Sequence, residues 1–292
     1  MILIPIGDDN DEGHAHHHED FIHWGLIFAC LLVFGYETYL ICQGIDKLDA
    51  FVDRWSFDPR VYLGSNFLSL GYGGRVVMLL KCLGHLGNMG AVRMVTHAFI
   101  HGSPLHLFGN LFILWMLGDN VEFAMGHWRY LFFFIFMAMF SEFGSIIFST
   151  NANFMPGIGA SGAIMAVAGA YIFYFPKAHI NIFYNIMLVY WGIFGVPAWL
   201  FLGLMGVGDL VTAYNEYGTN YGMVGVTAHA SGFVMGILLA YPLRKNKKEP
   251  LYRRGERVPY NKSLAETLRQ RREKAARGEA AEETSIDRWD DK

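Results

Sequence analysis

Runs of about twenty apolar residues recur along this chain, and they restrict its fold more than any other feature. A bilayer's hydrocarbon core is about 30 Å thick, which a helix of about 20 residues crosses. The chain is 53% hydrophobic and 16% aromatic. A soluble domain carries almost as much apolar residue, but scattered rather than gathered into runs. Six spans are predicted: Phe21 to Ile41, Pro104 to Ala124, Arg129 to Phe148, a short one from Ser161 to Phe175, Ile180 to Gly206, and Gly222 to Leu243. Ser103 and Pro104 supply an N-cap and a first helical residue for the second. Six spans put both termini on one side. Arg244-Lys245-Asn246-Lys247-Lys248 abuts the last span, which makes that side cytoplasmic by the positive-inside rule. Arg129 and Lys177 fall on the same side, and the loops after spans three and five hold no Lys or Arg. The basic residues of the long opening loop run against this trend, but long loops count for less.

The fourth span is too short. A polar loop, Ser149 to Pro156, precedes Gly157-Ile158-Gly159-Ala160-Ser161-Gly162, and Pro176-Lys177 ends the apolar run after Phe175. About 15 residues make roughly 22 Å of helix, so Ser161 lies roughly 8 Å below the near surface if the far end reaches the other. Irregular backbone at that depth must be buried in protein or line a water-filled cavity. A serine flanked by glycines at a helix N-terminus, with amide N–H groups close by, reads as a nucleophile. It reads equally as a small-residue packing face.

Polar side chains inside spans carry the next signal, because they are costly and need a role or a partner. His106 and Asn110, four apart, share one face near the outer end of span two. His97 and His101 precede them at the same spacing. Each of the four is either functional or a tie between loop and bundle. The balance favours function for His106 and Asn110, and structure for His97 and His101. His229 lies seven residues into span six, roughly 10 Å down, near the depth counted for Ser161. Gly225, Gly232 and Gly236 share its face, and Gly162, Ala166 and Gly169 form a matching strip below Ser161. Two such strips permit close approach of the helices, which a Ser–His hydrogen bond requires. Glu142 in span three reads as the only carboxylate deep in a span, a buried hydrogen-bonded group or an accessory.

The set His106-x-x-x-Asn110, Gly159-x-Ser161-Gly162 and Ala228-His229-x-x-Gly232-x-x-x-Gly236, in this order, resembles a rhomboid intramembrane serine protease. The resemblance covers about residues 21–243. It implies an all-α membrane protein, a six-helix bundle with a long loop between helices 1 and 2. It implies Ser161 as nucleophile and His229 as general base. His106, Asn110 and the Ser161 backbone N–H would hold the oxyanion. His97, His101, Gly159, Gly162, Gly225, Gly232 and Gly236 would be structural support. The implied substrate is another membrane protein, cut in or near its transmembrane segment, with no cofactor, metal or nucleic acid. Two departures stand out. Val92-Arg93 replaces the Trp-Arg of many relatives, and Met165 stands where some carry an aromatic residue that packs on the catalytic histidine. No acid is evident as a third member.

The flanks lie outside the resemblance. Residues 1–20 form an acidic, His-rich segment (His14, His16, His17, His18) without Lys or Arg. Such a tract can bind metal, but its composition reads first as a solvated, disordered cytoplasmic tail. Residues 244–292 hold most of the 23 Lys and Arg and include a helical-looking charged stretch, Ser263 to Glu283. Arg75 to Leu83 reads as an amphipathic interfacial segment. Cys30, Cys42 and Cys82 make no disulfide framework, although Cys42 and Cys82 could pair outside the membrane. No signal peptide is recognised. Together these features point to the plasma membrane of a bacterium. Two rival classes remain: a non-catalytic relative that binds membrane clients, and a small transporter, against which the lack of an internal repeat counts.

Overall fold

A computed structural model describes residues 2–9, 21–58, 60–63, 73–74, 76, 87–148, 156–186, 190–216 and 224–245. The chain divides into two compact units, Met1–Tyr252 and Arg253–Lys292, and every described residue belongs to the first. The charged stretch Ser263 to Glu283, most of Arg75 to Leu83, and Cys82 therefore lie outside the described residues.

The elements run β1 (Ile2–Asp8), α1 (Phe21–Gln43), α2 (Ile45–Trp55), α3 (Arg60–Leu63), α4 (Gly87–Thr96), a 3-10 turn (His97–Phe99), α5 (Pro104–Met125), α6 (His127–Phe148), α7 (Ser161–Tyr174), β2 (His179–Ile186), β3 (Tyr190–Pro197), α8 (Ala198–Glu216) and α9 (Val224–Leu243). The chain is mostly helical. Ser103 caps α5 as expected, its Oγ accepting from the His106 amide at 3.1 Å with Pro104 in the first turn. Among the described residues, α1 and the segment Gly225–Leu243 are long and apolar enough to cross a membrane by hydropathy alone. Large apolar side chains line the outward faces of the longer helices, with Leu32, Phe108, Phe132, Leu204, Val234 and Leu238 all exposed.

Helix α7 is the axis of the bundle. At 14 residues it is about 21 Å long. Every residue from Gly162 to Tyr171 is buried, with α5, α6 and α9 packed around it. Its small side chains (Gly162, Ala163, Ala166, Gly169, Ala170) let those neighbours close in.

Helix directions can be read from polar ties. At one end Glu122 of α5 accepts from the amide of His23 at 2.6 Å and lies 2.6 Å from His127 Nδ1, which joins the start of α1 to the α5–α6 turn. The Lys245 amide donates to the Ala124 carbonyl at 2.9 Å, and Arg129 Nη1 donates to the Arg244 carbonyl at 3.1 Å, so the basic end of α9 meets the same turn. The Tyr174 hydroxyl donates to the Ala240 carbonyl at 2.5 Å, which places the end of α7 there too. Ser161 consequently lies at the opposite end from the basic residues that follow α9.

Three expectations are corrected. The fifth span from Ile180 to Gly206 is not one helix. Strands β2 and β3 pair antiparallel there, His179 opposite Pro197 and Ile186 opposite Tyr190, and the helix starts at Ala198. Ile180 and Ile182 are buried at strand spacing, and Gly192, Gly195 and Pro197 disfavour helix. The chain is therefore not all-α: a three-stranded sheet, ordered β1-β2-β3, caps one end. Finally, residues 2–8 are not a solvated tail. They pair with β2, Ile2 opposite Asn185 and Asp8 opposite Ile180. Asp8 is buried and accepts from Asn120 Nδ2 at 3.0 Å and from the Tyr171 hydroxyl. The acidic composition hid a strand whose charge is consumed by internal donors.

Candidate active site

The segment before α7 is held at two points. Gly157 and Phe57 exchange backbone hydrogen bonds of 2.9 and 3.4 Å, and the Gly159 amide donates to the His97 carbonyl at 2.9 Å. Gly159 has φ +102°, a conformation that side chains other than hydrogen rarely adopt. A Cβ there would stand 2.6 Å from His106 Cε1, 2.8 Å from His106 Nε2 and 3.5 Å from Asn110 Nδ2. The backbone two residues ahead of Ser161 thus lies directly against His106 and Asn110. Asn110 is buried, and its Nδ2 has no hydrogen-bond partner among the described residues.

His97 and His101 brace this arrangement from outside the spanning helices. His97 Nε2 lies 3.3 Å from the Ala138 carbonyl, and its Nδ1 lies 3.7 Å from Glu142 Oε1. The Glu142 carboxyl also packs on Gly157, where a Cβ would stand 2.5 Å from Oε1. The His101 ring lies tilted against that of His106, centroids 5.2 Å apart, while its Nδ1 lies 3.1 Å from the Phe99 carbonyl. Its amide donates to Glu37 Oε1 at 3.1 Å. Burial pushes both imidazoles down to about 4, so each is neutral near pH 7. Glu142 is not alone: Asp119 and Glu122 of α5 are also buried carboxylates within a span, as is Glu37. Glu37 reads from the sequence as part of an apolar run, and only the loop folding over it reveals its partner.

Helices α7 and α9 touch backbone to backbone. A Cβ on Gly232 would collide with the Gly162 carbonyl, one on Gly236 with the Ala166 carbonyl, and one on Gly169 with the Phe233 carbonyl. Gly162 faces Ala228 and, from α6, the Ser141 hydroxyl. The neighbours of Ser161 and His229 in sequence are therefore neighbours in space. Gly225 is the exception among the expected glycines: it is exposed, and a Cβ there would meet nothing within 4 Å. It shares the face of His229 but stands beyond the point where the helices separate.

His229 is close enough to His106 for their charges to interact. No hydrogen bond joins Ser161 to His229 among the described residues; the ring instead presents Nδ1 to Asp209 Oδ2 of α8 at 3.0 Å. Catalytic hydrogen bonds are commonly long before a substrate is bound. Asp209 escapes sequence reading because the apolar run was ended at Gly206. The signal was present in the continuation Leu210-Val211, which carries α8 past the acid to Glu216.

A hydroxyl at a helix start, an imidazole from the adjoining helix and a convergent amide donor make an arrangement suited to acyl transfer. A family model for the Rhomboid domain matches residues 88–246. The chain is 33% identical over 153 residues to the rhomboid protease GlpG of Yersinia pestis, covering 51% of this chain and 47% of that one. The same figures hold for the Yersinia pseudotuberculosis protein. Presenilin-associated rhomboid-like protein A, mitochondrial, of Danio rerio is 31% identical over 90 residues, covering 30% of this chain and 24% of that one. The chain spans about half the length of the first two. With more than half of its residues matched by the family model, the chain belongs to the rhomboid family.

Proposed function

We propose that this protein is an integral-membrane serine endopeptidase that cuts transmembrane segments of other membrane proteins. Helices α1, α5, α6, α7, α8 and α9 would each cross the bilayer, with both termini cytoplasmic and the sheet on the cytoplasmic side. The plasma membrane of a bacterium is the proposed location. The observation that carries the reading is the packing of Gly159 on His106 and Asn110 immediately ahead of Ser161. A buried amide donor without a partner is costly, on the order of 1–3 kcal/mol. A pocket that receives an anion only transiently accounts for it.

In this reading Ser161 Oγ attacks the peptide carbonyl carbon while its proton passes to His229 Nε2. Asn110 Nδ2, His106 and the Ser161 amide donate to the oxyanion. The proton moves from Nε2 to the departing amine, and water then hydrolyses the acyl-enzyme by the same route. A helical substrate hides its peptide bonds, so local unwinding precedes attack, and small or helix-breaking residues near the cut suit it.

The test uses the purified protein in liposomes with a model transmembrane substrate. Ser161→Ala and His229→Ala should each abolish cleavage, and a fluorophosphonate should label the wild type at Ser161. Normal cleavage by Ser161→Ala would refute the assignment. Substrate retained but uncut by the wild type would favour a client-binding relative instead.

A further inference from the structure

The hydrogen bond from His229 to α8 has no place in a serine–histidine pair alone. Asp209 and His229 lie on different helices, and both side chains are only partly exposed, 28% and 25%. The carboxylate meets Nδ1, which leaves Nε2 as the nitrogen free to serve Ser161. The other charged or titratable groups around the ring are accounted for. His106 of α5 faces Gly159, and Glu142 of α6 faces His97 and Gly157. Tyr171 and Tyr174 of α7 sit at the far end of the bundle on Asp8 and Ala240. Met165 offers the imidazole no aromatic plane to rest on.

We propose that Asp209 is a positioning residue for His229. Its carboxylate accepts the Nδ1–H, fixes the tautomer in which Nε2 is unprotonated, and turns the ring toward Ser161. The carboxylate does not itself take up the proton. When Nε2 takes the Ser161 proton, the carboxylate balances the imidazolium's charge, and it loses nothing when that proton leaves with the amine. The logic is that of the Ser-His-Asp triad, in which the acid orients and stabilises rather than accepts a proton. The half-open setting makes the effect smaller than in a fully buried triad. This proposal rests on the assignment of Ser161 as nucleophile.

Asp209→Asn keeps the shape but turns a donor toward Nδ1, which favours the wrong tautomer. In full-length protein in liposomes, kcat should fall about 10–10²-fold with KM changed less than about threefold. The rate of Ser161 labelling by a fluorophosphonate should fall in parallel, and Asp209→Glu should recover part of both. Imidazole 15N shifts of the wild type, assigned by comparison with His229→Gln, should show His229 Nδ1 protonated and Nε2 bare. A merely structural acid would instead lower the melting temperature and leave kcat and the labelling rate of the folded fraction intact. That result, or a wild-type spectrum with Nδ1 bare, overturns the proposal, and the spectrum decides even if the variants fail to fold. Absence of cleavage and labelling in the wild type would overturn the serine assignment itself, and with it this extension.

Discussion

Gly159 is constrained twice, and the two constraints can be separated by mutation. Its φ of +102° resists any Cβ, at a cost of about 1–3 kcal/mol. The His106 ring occupies the space a Cβ would need. Gly159→Ala should therefore cost both stability and cleavage, the second by displacing His106. Asn110→Ala removes a donor without adding bulk. It should lower kcat by about 10²–10³ with little change in KM or melting temperature. Comparing kcat, KM and thermal unfolding for the two variants checks this; a binding defect alone in Asn110→Ala would count against its role.

At the scale of elements, the α7–α9 contact rests on glycines whose opposing atoms are backbone and cannot yield. Gly236→Val should push the helices apart and destabilise by about 1–3 kcal/mol or more. Gly225→Ala meets nothing and should be neutral or stabilising by up to about 1 kcal/mol. Thermal unfolding in detergent distinguishes the pair, and equal losses would refute the described helix contact. This contact was legible in the sequence because small residues at helical spacing are a local pattern. The spacing of His106 with Asn110 and the glycines around Ser161 are legible as local patterns for the same reason, and their catalytic role is the proposal made above. Asp209 and Glu37 were not, because each is defined by a partner far along the chain, and hydropathy averages a single acid into its apolar neighbours. The strands β2 and β3 are hard to read from sequence because their apolar content satisfies a span-length window while their period is two.

Across the whole molecule, the first strand is tied to the bundle by more than backbone pairing. Asp8→Ala would strip acceptors from Asn120 and the Tyr171 hydroxyl in a buried setting. A loss of about 1–3 kcal/mol is expected, chiefly because the buried Tyr171 hydroxyl loses this acceptor, read as a lower melting temperature with the active-site geometry intact. An unchanged melting temperature would mean that strand β1 is not anchored there. The same anchor sets an order of assembly. Strand β1 is synthesised about 170 residues ahead of the strand it pairs with. Asp8 can dock on Asn120 and Tyr171 only after α5 and α7 have formed. The closing of this sheet is therefore a late step of maturation, because a chain halted before residue 179 lacks the strand with which β1 pairs.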